Sequence, residues 1–188
     1  RSCAGLGTAD VMPEPTGYSA AQVTLHWAIV ALIGVQLLVN DSMQQGFADR
    51  MNGIPSSNGW AVLHIALGIG VLGLAALRLG LRLTRGAPPP PSDNPALVAW
   101  AGMLAHLALY LLMFAMPLTG IVAWFGHSEI AADLHEMGRF LLVILIGLHV
   151  LGALAEHFIF GQNTLLRVFR TEANLPRKAA VSRKHRRP

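Results

Sequence analysis

The stretch that decides the fold is RFLLVILIGLHVLGALAEHFIF, residues 139–160, an apolar run that nevertheless carries His149, Glu156 and His157. As a helix, a run of this length crosses a hydrocarbon core of about 30 Å. It is the C-terminal part of one of four such runs, which we place near Val23–Val39, Trp60–Leu83, Ala96–Trp124 and Leu134–Phe160. The sequence therefore predicts four membrane spans, one of which holds ionisable side chains.

Composition supports a membrane protein. Of the 188 residues, 53% are hydrophobic and only 13% are charged, whereas roughly a quarter of the residues of a soluble domain are charged. The runs are rich in leucine and do not alternate, and a backbone surrounded by lipid must satisfy its own hydrogen bonds, so helices are predicted rather than strands. We predict an all-α protein, an integral membrane four-helix bundle that covers residues 18–169.

The two ends of the chain differ from the bundle. Residues 1–17 contain two prolines and are predicted to form a flexible N-terminal arm, after which Ser19 is placed to cap the first helix. The first apolar run is too long, and lacks a leading basic segment, for a cleavable signal. Residues 170–188 are expected to form a basic, disordered cytoplasmic tail. Cys3 is the only cysteine, which excludes a disulfide framework and a thiolate iron–sulfur cluster.

Positive charge is distributed unevenly between the two sides of the predicted bundle. Arginine and lysine cluster after Phe160 and at the end of the second run. The loops around residues 41–59 and 125–133 together contain one arginine, Arg50, and no lysine. The positive-inside rule then places both termini in the cytoplasm. We interpret the basic tail as a segment that contacts anionic membrane lipid, and we expect no nucleic acid as a partner.

Histidines are the main candidates for chemistry, because an ionisable group inside a membrane is costly to bury and usually functional. His135 and His149 are fourteen residues apart, which puts them within about 40° of each other and about 21 Å apart along one helix. Two ligands of a single zinc on one helix would need a spacing nearer four residues. One helix face therefore offers two imidazoles at two depths, which suits two planar cofactors stacked across the bilayer.

Each such cofactor needs a second ligand from another helix at the same depth. Under the predicted orientation, His26 lies level with His149 in the inner half, and His64 lies level with His135 in the outer half. Ligation by two histidines saturates haem iron, which suits electron transfer rather than oxygen binding. The histidines thus predict an inner and an outer haem.

Several segments carry a resemblance to a known family. YSAAQVTLHW, LHIALGIGVLGLAALRLGLRL, AHLALYLLMFAMPLTG, HEMGRFLLVILIGLHVLGALAEH and NTLLRVF are similar to segments of the bacterial cytochrome b561 family, over roughly residues 18–169. The resemblance implies a bundle of four helices that holds two haem b groups and exchanges electrons with membrane quinone such as ubiquinone. By the same resemblance His26, His64, His135 and His149 are the iron ligands.

Most of the other polar residues near these positions have two interpretations. His106 is expected to bond a haem propionate or to hydrogen-bond within the core, and Arg78 to oppose propionate charge. Arg139 is expected to neutralise outer propionates or to attract an anionic substrate. His157, with Glu156, either binds and protonates quinone or is a simple interfacial histidine.

Two glycines lie about one turn from predicted ligands. Gly68 follows His64, and Gly138 follows His135. Small residues permit close packing of helices, and beside a ligand they also leave room for a flat macrocycle. We expect both glycines on the cofactor side of their helices.

The sequence leaves three functions open. The first is a di-haem b-type cytochrome that moves single electrons to or from the quinone pool, with superoxide or a periplasmic redox protein as its outer partner; related proteins include superoxide oxidases that reduce ubiquinone. The second is the quinone-reactive b-type subunit or anchor of a hydrogenase or another dehydrogenase. The third is a haem-free transporter or anchor, which gives no reason for four histidines at two matched depths.

Overall fold

The computed structural model describes residues 17–54, 59–88, 95–162 and 164–169, and every regular element among them is helical. In chain order the elements are α1 (Ala20–Leu38), α2 (Asn40–Met51), α3 (Gly59–Arg85), α4 (Ala96–Gly126), α5 (Glu129–Phe158) and α6 (Thr164–Phe169). Helices α1, α3, α4 and α5 are long and apolar enough to span a membrane. The predicted all-α membrane bundle is confirmed. The predictions for residues 1–16 and 170–188 lie outside the described residues.

Local hydrogen bonds set where the spans begin and end. Ser19 caps α1 as predicted: its hydroxyl accepts from the Gln22 N–H, and the Gln22 side chain accepts in turn from the Ser19 N–H. Ser128 caps α5 by accepting from the Ala131 N–H. Between α4 and α5 the chain turns within two residues, because His127 adopts a left-handed conformation with a φ of 51°. These caps satisfy backbone donors that a helix start leaves unpaired.

Helix α2 occupies a segment that the sequence analysis treated as a loop. Its methionines, glutamines and alanine favour a helix, and Arg50 in the last turn complements the helix dipole. Arg50 also donates from Nε to the Trp124 carbonyl at 3.0 Å, and its guanidinium lies 4.9 Å from the centre of the Trp124 ring. The length of apolar runs does not reveal this helix, because its segment is polar.

The spans pack as two pairs. Helix α1 packs on α3 and α4 on α5, and the two pairs meet mainly where α3 contacts α4. Within the described residues neither α1 nor α3 packs closely against α5. The small buried side chains Ala61, Ala75 and Ala123 permit close helix approach, while most large apolar side chains are exposed, as expected for lipid contact. This arrangement leaves a gap between α5 and the helices α1 and α3, and the candidate site lies in that gap.

At the end of the bundle where α5 finishes, α6 folds back onto α1. The Trp27 Nε1–H donates to the Val168 carbonyl at 3.1 Å, and the Trp27 and Phe169 rings lie 4.9 Å apart. We call this the inner end and the opposite end, where α3 and α5 begin, the outer end. The short helix α6 is thereby held against the first span.

Candidate cofactor site

A largely apolar cavity lies at the outer end between α1, α3, α4 and α5. It contains about 810 Å³ of empty space, including the part that opens to the surroundings. The polar residues of its lining include Gln36, His64, His135 and Arg139. The cavity thus joins one predicted ligand pair.

The two outer histidines face each other across this cavity. The ring centres of His64 and His135 are 6.1 Å apart and the ring planes cross at 64°. An iron atom bound to one nitrogen of each ring would separate the ring centres by roughly 6 Å, because a metal–imidazole bond is about 2 Å long. These two residues therefore fit the axial ligation of one haem.

The hydrogen bonds of His135 prepare one of its nitrogens for a metal. Its Nδ1 lies 2.8 Å from the Met116 carbonyl oxygen, and the Thr119 hydroxyl lies 3.3 Å from the same nitrogen. Because a carbonyl only accepts, Nδ1 carries the proton and donates it, so Nε2 keeps its lone pair. Histidine ligands of metals are usually oriented in this way by a second hydrogen bond. Sequence reasoning missed Met116 in this role, since a backbone carbonyl has no sequence signature.

His64 has a different environment, which brings in a residue that the sequence analysis passed over. The Gln36 Nε2–H donates to the His64 backbone carbonyl at 2.9 Å. The Gln36 Oε1 and the His64 Nδ1 are both buried and have no hydrogen-bond partner within the described structure. The signal that could have found Gln36 is a lone amide within the apolar run of α1.

Glycines shape this site, although only in part as predicted. Gly68 lines the cavity, and a Cβ there would lie 3.2 Å from the Gln36 Nε2. Gly138 lies against a neighbouring side chain instead, since a Cβ there would be 2.5 Å from the Met116 Sδ. Gly120, which was not predicted, lets His135 pack on α4, because its Cβ would lie 3.1 Å from the His135 Cε1. The close approach of α4 to α5 determines these roles.

A second histidine group lies toward the inner end. The rings of His106 and His149 are in edge contact, with centres 5.0 Å apart. His26 lies near enough to both, and to Arg78, for electrostatic interaction. His106 Nδ1 donates to the Gly102 carbonyl at 2.7 Å, so this N–H is satisfied by a hydrogen bond within α4. His26, His106 and His149 thus lie near one another. The ring in direct contact with His149 is that of His106.

Arg78 joins α3 to α1 beside this group. Its guanidinium donates to the Gln22 carbonyl at 2.7 Å. Arg82, one turn later, is exposed and lies over the Tyr110 ring at 5.9 Å. Arg78 is half-buried, so it is the better placed of the two to oppose a negative charge inside the bundle.

Arg139 lies in the outer half of α5 and His157 in its last turn, about 27 Å apart by helical rise. Arg139 lines the outer cavity, forms an ion pair with Glu136 and lies over the Phe140 ring at 4.2 Å. Its positive charge is therefore balanced by an adjacent carboxylate. His157 Nδ1 donates to the Gln162 carbonyl at 2.9 Å, which helps to close the end of α5. Its Nε2 remains the nitrogen that could accept a proton.

The ligand chemistry differs from that of a bare metal site. Among the residues that the structure describes, no group of three or more His, Cys, Asp or Glu side chains is arranged to hold a metal ion. A haem brings four nitrogens of its own and requires only axial ligands from the protein. Two facing imidazoles in an apolar cavity match that requirement.

Comparison with known proteins gives a consistent result. The sequence model of the family described as prokaryotic cytochrome b561 matches residues 17–171. A protein named cytochrome b562 from Cereibacter sphaeroides is 32% identical over 163 residues, covering 85% of this chain and 99% of that protein. A Yersinia pestis protein named "Probable superoxide oxidase CybB" is 33% identical over 175 residues, covering 80% and 94%. Cytochrome b561 homolog 1 of Escherichia coli is 30% identical over 178 residues, covering 80% and 96%.

Proposed function

Because the chain belongs to the prokaryotic cytochrome b561 family, we propose that it carries two haem b groups and moves single electrons across a bacterial inner membrane to or from the quinone pool. In coarser terms it is a multi-pass, haem-binding b-type cytochrome of electron transport. The observation that carries the proposal is the facing pair His64 and His135, with ring centres 6.1 Å apart.

We assign the outer haem to His64 and His135 and the inner haem to His26 and His149. The outer assignment is supported by the apolar cavity and by the His135 tautomer, which leaves Nε2 available. The inner assignment is supported by the proximity of His26, His106 and His149. Bound haem b supplies one-electron redox chemistry, and imidazole on both faces of the iron favours electron transfer.

The chain's own residues have separate roles at the inner haem. His106 donates its Nδ1 proton to the Gly102 carbonyl and packs edge-on against the His149 ring. This contact limits rotation of the His149 ring. Arg78, whose guanidinium donates to the Gln22 carbonyl, places a cation inside the bundle that would neutralise a propionate of a bound haem. His106 thus positions the His149 ring, Arg78 neutralises charge, and neither residue is needed as an iron ligand.

At the substrate level we propose oxidation of superoxide coupled to reduction of ubiquinone. Two superoxide anions each lose one electron and become dioxygen, and the two electrons with two protons convert ubiquinone to ubiquinol. The name of the Yersinia pestis relative supports this activity, as does Arg139 in the lining of the outer cavity. At the inner end His157, with Glu156 beside it, is the proposed site for quinone and its protons.

The proposed direction of the bundle follows from charge. The inner half of α3 carries three arginines, Arg78, Arg82 and Arg85. The outer segment 40–54 has one basic residue, Arg50. The positive-inside rule then puts the inner end, and with it both termini, in the cytoplasm. Superoxide or a periplasmic redox protein would therefore meet the outer haem.

A second candidate is the quinone-reactive cytochrome subunit of a hydrogenase or another dehydrogenase. One observation favours it: only His127 and Ser128 separate α4 from α5, so little polypeptide covers that part of the outer face. A docked partner would then deliver electrons to the outer haem in place of superoxide.

The first test is the haem content of the purified protein in detergent. We expect two haem b per chain from a pyridine haemochrome assay and a dithionite-reduced minus oxidised spectrum. His64→Leu and His135→Leu should each lose one haem and retain the other. The matched control is His127→Asn, because His127 is exposed at the end of α4 and asparagine tolerates its left-handed conformation. Folded wild-type protein without haem would contradict the proposal and revive the transporter or anchor function.

The substrate is tested separately. Holoprotein in liposomes with ubiquinone is exposed to superoxide generated by xanthine oxidase, and reduced quinone is measured directly. We expect quinol to form at half the rate of the protein-dependent consumption of superoxide, measured against spontaneous dismutation in liposomes without protein. Haem-loaded protein that reduces no quinone under these conditions would favour the subunit function instead.

A further inference from the structure

Gln36 is an amide side chain within the apolar span α1, and it reaches across to α3. It donates from Nε2 to the His64 carbonyl at 2.9 Å. This approach depends on Gly68, where a Cβ would come within 3.2 Å of the same nitrogen. The sequence therefore provides both an amide on α1 and the space on α3 that lets it contact the backbone of a predicted ligand.

The same two residues hold complementary unpaired atoms. The Gln36 Oε1 and the His64 Nδ1 are the two buried side-chain atoms without a hydrogen-bond partner that we find in the described part of the chain. An amide oxygen only accepts, and a neutral imidazole carries one N–H. Buried polar groups are almost always paired. The Gln36 Oε1 is an acceptor without a donor, and a protonated His64 Nδ1 is a donor without an acceptor.

We propose that Gln36 is a positioning residue for His64: its Oε1 accepts the Nδ1 proton while its Nε2 holds the backbone carbonyl. The inference rests on the proposed haem function, in which His64 is an outer ligand. On this proposal the side-chain torsions of Gln36 adjust so that the two unpaired atoms come within hydrogen-bond distance. His64 then acquires the tautomer that the Met116 carbonyl gives to His135, with both Nε2 lone pairs available to iron.

The proposal has an electronic consequence. A hydrogen bond from Nδ1 makes the imidazole a stronger base and a better ligand of ferric iron. Removing the acceptor should therefore weaken retention of the outer haem and raise its midpoint potential. The inner haem, whose proposed ligands lie in the other half of the bundle, should not change.

The test replaces the amide without changing its length. Gln36→Met removes both hydrogen bonds, whereas Gln36→Glu keeps an acceptor oxygen in either protonation state. Gln45→Met is the matched control, because Gln45 is exposed on α2. For each purified holoprotein, redox potentiometry gives two midpoint potentials, electron paramagnetic resonance gives the two low-spin ferric signals, and transfer to apomyoglobin gives the rates of haem loss. His64→Leu identifies the outer haem.

We expect Gln36→Met to raise the potential of the outer haem, shift its ferric signal and speed its loss by about 10- to 100-fold. Gln36→Glu should restore slow loss and a potential at or below that of the wild type. If Gln36→Met does not fold, Gln36→Asn, whose amide cannot reach as far, carries the same expectation. Full haem content with unchanged potentials, signals and loss rates would overturn the role of Gln36 alone. Absence of haem from the wild type would overturn the proposed function.

Discussion

At the scale of single residues, the outer site depends on what surrounds each histidine. Sequence spacing pointed to His64 and His135, but it did not reveal that the Met116 carbonyl fixes the His135 tautomer. Gly120 could not be predicted either, because its role is to admit the His135 ring from another helix. Such contacts follow from how helices approach one another, which the pattern along one helix does not contain.

Gly120→Val provides a test at this scale. A Cβ at this position would lie only 3.1 Å from the His135 Cε1, and the further methyl groups of valine should push the ring from its place. We expect a cost of about 1–3 kcal/mol in folding free energy, as for other overpacked sites, and haem content that falls from two toward one per chain.

Haem stoichiometry and thermal unfolding in detergent measure these effects. The control is Gly147→Val on α5, where a Cβ meets no atom within 4 Å. Equal haem content in the two variants would show that Gly120 does not support His135.

At the scale of elements, the spans were predictable and the short helices were not. The apolar runs gave α1, α3, α4 and α5 to within about five residues at each end, because the thickness of a bilayer sets their length. Helix α2 is polar, and α6 has six residues, so neither produces a hydropathy signal. Each is held by a specific contact with a span, Arg50 with Trp124 and Trp27 with Val168.

Trp27→Phe tests how α6 is held. The variant keeps an aromatic ring opposite Phe169 but loses the donor to the Val168 carbonyl. A hydrogen bond of this kind contributes about 0.5–1.5 kcal/mol, so amide exchange in residues 164–169 should become roughly 2- to 10-fold faster. Hydrogen exchange with mass spectrometry measures it.

Trp100→Phe is the control for this experiment, since Trp100 is exposed on α4. Exchange of residues 164–169 should be the same in that variant as in the wild type. If exchange is equally slow in Trp27→Phe, other contacts must hold α6.

At the scale of the whole molecule, the helix arrangement creates the candidate site. Pairs α1–α3 and α4–α5 pack internally, and α5 stands apart from α1 and α3 within the described residues. The proposed ligands of each haem come from opposite sides of this gap. The rings of His64 and His135, which spacing and depth had paired as proposed ligands, lie with their centres 6.1 Å apart across this gap.

Topology can be checked at this scale. We expect green fluorescent protein fused after Pro188 to fluoresce and alkaline phosphatase fused after Ser128 to be active, because positive charge favours the cytoplasm. The exchanged fusions, fluorescent protein after Ser128 and phosphatase after Pro188, are the controls and should both be inactive. The opposite pattern would place the outer haem in the cytoplasm and remove the argument for a periplasmic electron donor.

The sequence by itself determined the membrane spans, the family and the four candidate ligands, because apolar length and histidine spacing are properties of a helix taken alone. Only the tertiary structure decided which atoms meet. It placed Gln36 on the His64 carbonyl, turned Gly138 toward Met116, set His106 against His149 and paired Arg139 with Glu136. These outcomes depend on the distances between helices and on small side chains that allow close approach, and neither can be derived from the periodicity of a single segment.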